Sequence, residues 1–383
     1  MSRLLLVAHP SPDVYGSDRQ LLETIDALTG AGWEAVVVLP AHGPLVDLLS
    51  ERGAQVEVFA FAVLRKSLLN PKGLLLLSLQ GPLSTWRLWR KIRRFRPAAV
   101  YVNTITIPQW SLAARLAGVP VIVHVHEAEE DQHVLIRKAM AAPLLLAREV
   151  LVNSAAARRA LADVAPRLDE RITVVHNGIR GPADPAKPPR PRRAGDPARI
   201  ALVGRLSPRK GIDVALEAVA LLRRQHRDVD LLVCGTVFSG YEWYEDELRA
   251  RAAQPGLAGH VELAGYVHPT WPVLADSDVV LVPSRVEPFG NAAVEGLLAR
   301  RPVVASDVQG LAEVIVPDRT GILVPPDDAP ALAAAIATLL DDPDRAQQLA
   351  AAGHADATDR FALTRYRAHI VAALERVQQR PRT

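Results

Sequence analysis

Two doubly wound α/β domains facing across a cleft are the fold that this sequence predicts, on three observations. Short aliphatic runs alternate with longer helical patterns, as in parallel sheets wound by βαβ units. The 383 residues exceed one typical domain and suit two, each large enough to bury a core. Between two sets of candidate strands lies Gly181-PADPAKPPRPRRAGDP-Ala198, rich in proline, arginine and small residues and unable to build a core.

The first set of strands comprises Leu4–Ala8, Ala35–Leu39, Val56–Phe59, Ala99–Val102, Val121–Val125, Val150–Val152 and Ile172–Val175. The second comprises Ile200–Val203, Leu231–Cys234, Val261–Ala264, Val279–Val282 and Val303–Ala305. Most are continuous apolar runs, as strands covered on both faces should be. The expected organisation is therefore a first domain over residues 1–180, a linker over 181–198 and a second domain over 199–362. After Ala329 the pattern is helical almost to the end, and the stretch Leu363–Gln378 is expected to return to the first domain, giving a terminal helix over 363–383.

Hydrophobic residues make up 49% of the chain and charged residues 23%, the composition of a soluble globular protein. The single cysteine, Cys234, excludes an internal disulfide and fits a reducing compartment, so a cytoplasmic location is expected. Met1-Ser-Arg leads into an apolar run that stops at His9-Pro10, which does not read as a secretory leader. The longest apolar stretches fall well short of the roughly 20 residues that span a bilayer.

Doubly wound domains place ligands beyond the carboxyl ends of their strands, so the loops after strands carry the motifs that matter. Gly204-Arg-Leu-Ser-Pro-Arg-Lys-Gly211 follows the strand Ile200–Val203 and precedes a helix near Asp213. Gly204 allows close backbone approach, while Arg205 and Lys210 set two cations at a helix start, where a diphosphate would be held. Glu287-Pro-Phe-Gly-Asn-Ala-Ala-Val-Glu295 follows Val279–Val282. Its Gly290 and Asn291 open a helix whose unpaired N–H groups suit phosphate oxygens. Glu287 and Glu295 cannot also take phosphate and are suited to gripping hydroxyl groups. A separation on the order of 10 Å, from helix geometry, matches the two sugars of a nucleotide sugar.

Taken together, "VGRLSPRKG", "VPSRVEPFGNAAVEGLLARRPVVASDVQGLAEVI" and "TGILVPPDD", in this order and spacing, resemble the donor domain of the retaining GT-B glycosyltransferases of family 4. The likeness runs over nearly the whole chain, with "VYGSDRQLLETIDAL" similar to the family's glycine loop and first helix and "VVHNGI" similar to its segment before the linker. The resemblance implies that Glu287 meets the donor sugar and Glu295 the ribose. It implies that Arg205 and Lys210, with the backbone of Phe289, Gly290, Asn291 and the glycine-loop Gly16, meet the diphosphate, and that Tyr266 and Val267 hold the base through the backbone. No metal is implied, and no cofactor beyond the nucleoside diphosphate sugar as co-substrate.

Val121–Glu127 reads VIVHVHE, and strand alternation puts His124 and His126 on the same side, so geometry leaves the choice between them open. The family's His-Asp ending matches His126-Glu127 and implies His126 near the transferring sugar. Glu in place of Asp leaves the role of Glu127 open, and Tyr15-Gly16 departs from the family's Gly-Gly.

Trp86-Arg-Leu-Trp-Arg-Lys-Ile-Arg-Arg-Phe-Arg96 puts Trp86, Trp89, Ile92 and Phe95 at three-residue spacing among six cations, so one helical face is expected to be apolar and the rest basic. Two readings stand: a helix packed on its sheet with a solvated basic rim, or the same rim resting on anionic lipid at the inner face of the plasma membrane. Nucleic acid is not expected, since no recognition motif is present. The expected activity is transfer of a sugar from a UDP- or GDP-linked donor to an acceptor hydroxyl on a glycan, glycolipid or small molecule without a divalent cation, and the resemblance implies retention of anomeric configuration. Two rivals stay open: an epimerase or hydrolase of nucleotide sugars on the same scaffold, and a non-catalytic binder of sugar nucleotides. A nicotinamide dehydrogenase is disfavoured because no Gly-x-Gly-x-x-Gly follows the first strand.

Overall fold

The computed structural model describes residues 3–64, 71–127, 132–189, 195–238 and 240–379, and of residues 71–80 the backbone only. The chain divides into two compact units, Met1–Gly178 with Leu363–Thr383, and Ile179–Ala362.

The first unit runs β1 (Leu4–Ala8), α1 (Gly16–Gly30), β2 (Glu34–Leu39), α2 (Leu45–Ser50), β3 (Gln55–Val58), α3 (Pro71–Phe95), β4 (Ala99–Val102), α4 (Pro108–Leu116), β5 (Val121–Val125), α5 (Val134–Ala141), β6 (Glu149–Val152), α6 (Ala155–Val164) and β7 (Ile172–Val174). All its strand pairs are parallel, in the order β3-β2-β1-β4-β5-β6-β7. Strand alternation splits each strand between two cores. Leu5 and Val7 face one with α1 and α2, whereas Leu6 and Ala8 face the other with Leu88 and Ile92 of α3 and Trp110 of α4.

The second unit runs β8 (Ala198–Val203), α7 (Ile212–Arg224), β9 (Val229–Cys234), α8 (Glu242–Ala252), β10 (Val261–Gly265), α9 (Trp271–Ala275), β11 (Val279–Val282), α10 (Asn291–Leu298), β12 (Val303–Ser306), α11 (Leu311–Val314), β13 (Ile322–Val324), α12 (Ala329–Asp341) and α13 (Pro343–Arg360). Its sheet is also parallel, ordered β10-β9-β8-β11-β12-β13. One face packs on α7 and α12, the other on α10 and α11. The last helix, α14 (Leu363–Gln379), rejoins the first unit: Tyr366, Ile370 and Leu374 share the core of α1, and Arg376 pairs with the buried Glu149 of β6.

Three details differ from the sequence reading. Ala198, placed in the linker, is the first residue of β8, and β13 lies in a run of three residues too short to stand out. In α3, Trp86 does not share a face with Ile92: Trp86 is 48% exposed while Leu88 and Ile92 are fully buried. Three-residue steps on a 3.6-residue helix drift by about 60° each, so Trp86 and Phe95 end on opposite sides.

Candidate functional site

Both sheets reverse their strand order once, between β1 and β4 and between β8 and β11. Chain leaving neighbouring strands there departs in opposite directions and opens a crevice at their carboxyl ends.

In the second unit, that place gathers most of the donor residues anticipated from the sequence. The loop after β8 carries Arg205 and Lys210, and the loop after β11 carries Glu287 and leads into α10. Lys210 Nζ donates to Glu287 Oε2, with the Glu287 side chain 11% exposed, and Ser284 Oγ donates to the same oxygen at 3.3 Å. The Arg205 guanidinium lies 3.1 Å from the centre of the half-exposed Phe238 ring, a cation held against an aromatic face. Gly290 caps α10, Phe289 is buried against Phe361, and Asn291 is the first helical residue. Glu295, one turn in, accepts from Thr270 Oγ1 at 3.3 Å. Tyr266, after β10, is 52% exposed, with Val267 beside it half-buried.

Backbone contacts hold these loops in place. Gly211 has φ +64°, and a Cβ there would lie 1.9 Å from the Pro283 carbonyl oxygen. A Cβ on Gly235 would lie 1.8 Å from the Gly204 oxygen. Only glycine lets the loops after β8, β9 and β11 approach so closely. Arg285, not anticipated from the sequence, ties them further: it donates to both oxygens of Asp213 at 2.9 and 2.7 Å, to Asp327, and to the Pro208 carbonyl. Burial works to raise the Asp213 carboxyl, but the bonds and charge of Arg285 outweigh it and hold it below the usual range. Gln309 Oε1 accepts the Glu287 N–H at 3.1 Å, fixing the backbone at the acid.

In the first unit, Gly16 is the first residue of α1, as the glycine-loop reading expects. His124 and His126 are on the same side, with ring centres 4.1 Å apart. Burial separates them: His124 is sealed in the core against Tyr101, whose hydroxyl lies 2.7 Å from Nδ1, whereas His126 is half-buried at the strand end. Burial pushes His126 down to about 3, so its ring is neutral near pH 7. Glu127 accepts from Thr104 Oγ1 at 2.6 Å and from the His126 backbone N–H at 2.9 Å, and burial raises its carboxyl. His9, Asp18 and Asn103 sit beside His126 and were missed; each lies beyond a strand that borders the reversal, the one signal that could have found them.

Comparison with known proteins agrees with this architecture. Residues 16–178 match the model of the glycosyl transferase 4-like domain, and residues 184–356 that of glycosyl transferases group 1. The chain is 30% identical over 313 residues to the 2-deoxystreptamine glucosyltransferase of Streptomyces kanamyceticus, covering 75% of this chain and 80% of that protein. It is 32% identical over 285 residues to the glycogen synthase of Mycobacterium tuberculosis strain H37Rv, covering 70% of this chain and 66% of the synthase. With the D-inositol 3-phosphate glycosyltransferase of Thermobispora bispora it shares 35% over 221 residues, 54% of this chain and 51% of the relative. Among solved structures, Anabaena HepE in complex with UDP-glucose superposes with a TM-score of 0.81 at 23% identity, covering 97% and 99% of the two chains. Sucrose-phosphate synthase from Thermosynechococcus elongatus gives 0.74 at 20%, covering 97% and 98%. With two GT-B sheets and family matches to both, the chain belongs to the group 1 glycosyltransferases.

Proposed function

We propose that the protein transfers a sugar from a UDP- or GDP-linked donor to an acceptor hydroxyl, with retention of anomeric configuration. The observation that carries this reading is the pairing of Lys210 with Glu287 at the β8/β11 reversal, beside Arg205 and the start of α10. Bond cleavage at the anomeric carbon leaves negative charge on the diphosphate and positive charge on the sugar. Arg205, Lys210 and the N–H groups of Phe289, Gly290 and Asn291 would stabilise the first, without calling on a divalent cation. Glu287 would accept hydroxyls of the donor sugar, Glu295 those of the ribose, and the backbone at Tyr266 and Val267 would meet the base. Gly16 would bring the first unit's backbone to the phosphates, and the neutral His126 would stand near the sugar without opposing its positive charge.

HepE was solved with UDP-glucose, which makes that the first donor to try. A panel of UDP- and GDP-sugars should yield one that raises the melting temperature, since a ligand that binds only the folded state stabilises it by mass action. With an acceptor glycan, glycolipid or aminocyclitol the same donor should release its nucleotide, and NMR of the product reads its anomeric configuration. Release without an acceptor, or isomerisation of the sugar, would instead favour a hydrolase or an epimerase, and binding with neither would favour a silent binder.

The same proposal places the protein in the cytoplasm at an anionic membrane surface. Among the described residues no helix is long and apolar enough to cross a membrane. In α3, Leu83 and Trp86 are 52% and 48% exposed beside the exposed Arg87 and Arg90, a face that could rest on anionic lipid. Sedimentation with phosphatidylglycerol vesicles should show binding that 0.5 M salt removes; its absence would restrict the protein to soluble acceptors.

A further inference from the structure

Four side chains of the first unit form a continuous hydrogen-bonded line at the carboxyl ends of β1, β4 and β5. Asp18 Oδ1 lies 2.7 Å from His9 Nε2, Asn103 Nδ2 lies 3.0 Å from His9 Nδ1, and His126 Nε2 lies 2.9 Å from Asn103 Oδ1. His9, Asn103 and Asp18 are 0%, 1% and 3% exposed, and only His126, at the end of the line, is half-buried. The second oxygen of Asp18 accepts the backbone N–H of Tyr15 at 2.8 Å, so the line is anchored where the glycine loop enters α1.

A carboxylate accepts hydrogen bonds and cannot donate them, which gives the line one direction. His9 must carry its proton on Nε2 to meet Asp18. Its Nδ1 then offers a lone pair and takes an N–H of the Asn103 amide. The amide oxygen is thereby turned to His126, whose Nε2 must carry a proton to meet it. A neutral ring protonated on Nε2 has a lone pair on Nδ1, and among the described residues nothing donates to that atom.

We propose that Asp18 is a positioning residue that acts through His9 and Asn103 to hold His126 in the Nε2–H form, so that Nδ1 accepts a sugar hydroxyl. An imidazole held this way orients a hydroxyl without adding positive charge beside a sugar that is itself becoming positive. The last step, from lone pair to hydroxyl, rests on the glycosyltransferase reading; the tautomer does not, and is a property of the protein alone.

The test is a long-range 1H–15N correlation spectrum of the full chain labelled on histidine at pH 7.5, with His126 assigned by its loss in His126→Gln. Nε2 should be protonated and Nδ1 bare. In Asp18→Asn the new amide still accepts from Tyr15 but donates to His9 Nε2. Each member of the line then reverses, and His126 should change to the Nδ1–H form. Asn103→Ala removes the partner of His126 and should give a mixture of tautomers while leaving the His9–Asp18 contact in place, so the proposal survives as a testable one if Asp18→Asn fails to fold. A charged ring or an Nδ1–H form in the unaltered protein overturns the proposal, and so does an unchanged His126 pattern in the variants. With a donor in hand, Asp18→Asn should lower kcat by roughly 10- to 100-fold and leave KM for the donor within about twofold, a smaller version of the loss when a serine protease histidine is held in the wrong tautomer. An inverted tautomer with unchanged kcat would sink the acceptor role of Nδ1. Failure to transfer any sugar would sink the glycosyltransferase reading alone, since the spectra do not depend on it.

Discussion

The two reversals of strand order occupy the same place in two similar sheets, yet they are furnished differently. Between β1 and β4 the polar groups are sealed and joined end to end, His9 and Asn103 with almost no exposure and one carboxylate at the root. Between β8 and β11 they are cations and carboxylates in partial contact with solvent, Lys210 on Glu287 and Arg285 on Asp213. Topology dictates where a site forms, and desolvation decides what it can do: a sealed line of hydrogen bonds fixes proton positions, whereas charges left partly open to solvent would be free to change partners if a phosphate bound.

The largest effects should come from breaking the charged side. On the proposed function Lys210→Ala removes a cation that would face the leaving diphosphate, and it is expected to lower kcat by roughly 100- to 1,000-fold, the scale of losing one preorganised electrostatic group. Glu287→Ala should be similar, with both variants folded by circular dichroism; full activity in both, measured by nucleotide release, would remove this site from the mechanism. Next in size is the glycine contact beneath it. Gly235→Ala would drive a Cβ against the Gly204 oxygen, and Gly211→Ala would add strain at positive φ to a clash with Pro283. Each should cost about 3 kcal/mol in urea unfolding, and nucleotide binding should weaken with it. An unshifted midpoint would mean the loops are not held by backbone contact.

How far the sequence reveals each side follows from the same contrast. Arg205, Lys210, Glu287, Gly290 and Glu295 stand out in the sequence because an anion site would need cations, glycine and a helix start in one short stretch, and the fold does bring them to one strand-order reversal. The line from Asp18 to His126 is not, because its members come from three strand ends 94 and 23 residues apart and meet only when the sheet forms. Alternation alone does not distinguish His124 from His126; burial does, sealing the first and leaving the second half-buried. Trp86, Trp89, Ile92 and Phe95, evenly spaced by three, look like a stripe in sequence but wind around a helix, which carries Trp86 off the face of Ile92.

The sealed side should reveal itself through pH. Burial and the nearby His126 hold His124 well below its ordinary value, and burial brings His126 to about 3. Both rings are neutral in the fold and bind protons once unfolded, so stability is complete above about pH 6.5 and falls as pH drops below it. The raised carboxyl of Glu127 acts in the opposite sense, so the contribution of His126 is read as the difference between His126→Gln and the unaltered protein over the interval from 7 to 5.5. There His126→Gln should remove about 1 kcal/mol of the pH-dependent loss, read by urea unfolding at the two ends. An unchanged slope would mean that His126 is not held neutral by the fold.

The smallest effect separates the working charges of the second unit from its ordinary ones. Arg227 makes two hydrogen bonds to Asp341, at 2.6 and 2.7 Å, a geometry as good as that of Arg285 on Asp213. Its partner side chain is 60% exposed, however, against 18% for Asp213. Water and salt screen the first pair and largely miss the second. Arg227→Ala should therefore cost about 0.5 kcal/mol, and less still in 0.5 M sodium chloride. Arg285→Ala takes the cation from the half-buried Asp213, leaving it the Tyr244 hydroxyl 3.0 Å away and a backbone N–H, and should cost several times as much with little dependence on salt. Equal costs in the two variants would mean that bond geometry rather than burial sets the worth of these pairs, and the contrast between the two reversals would lose its physical basis.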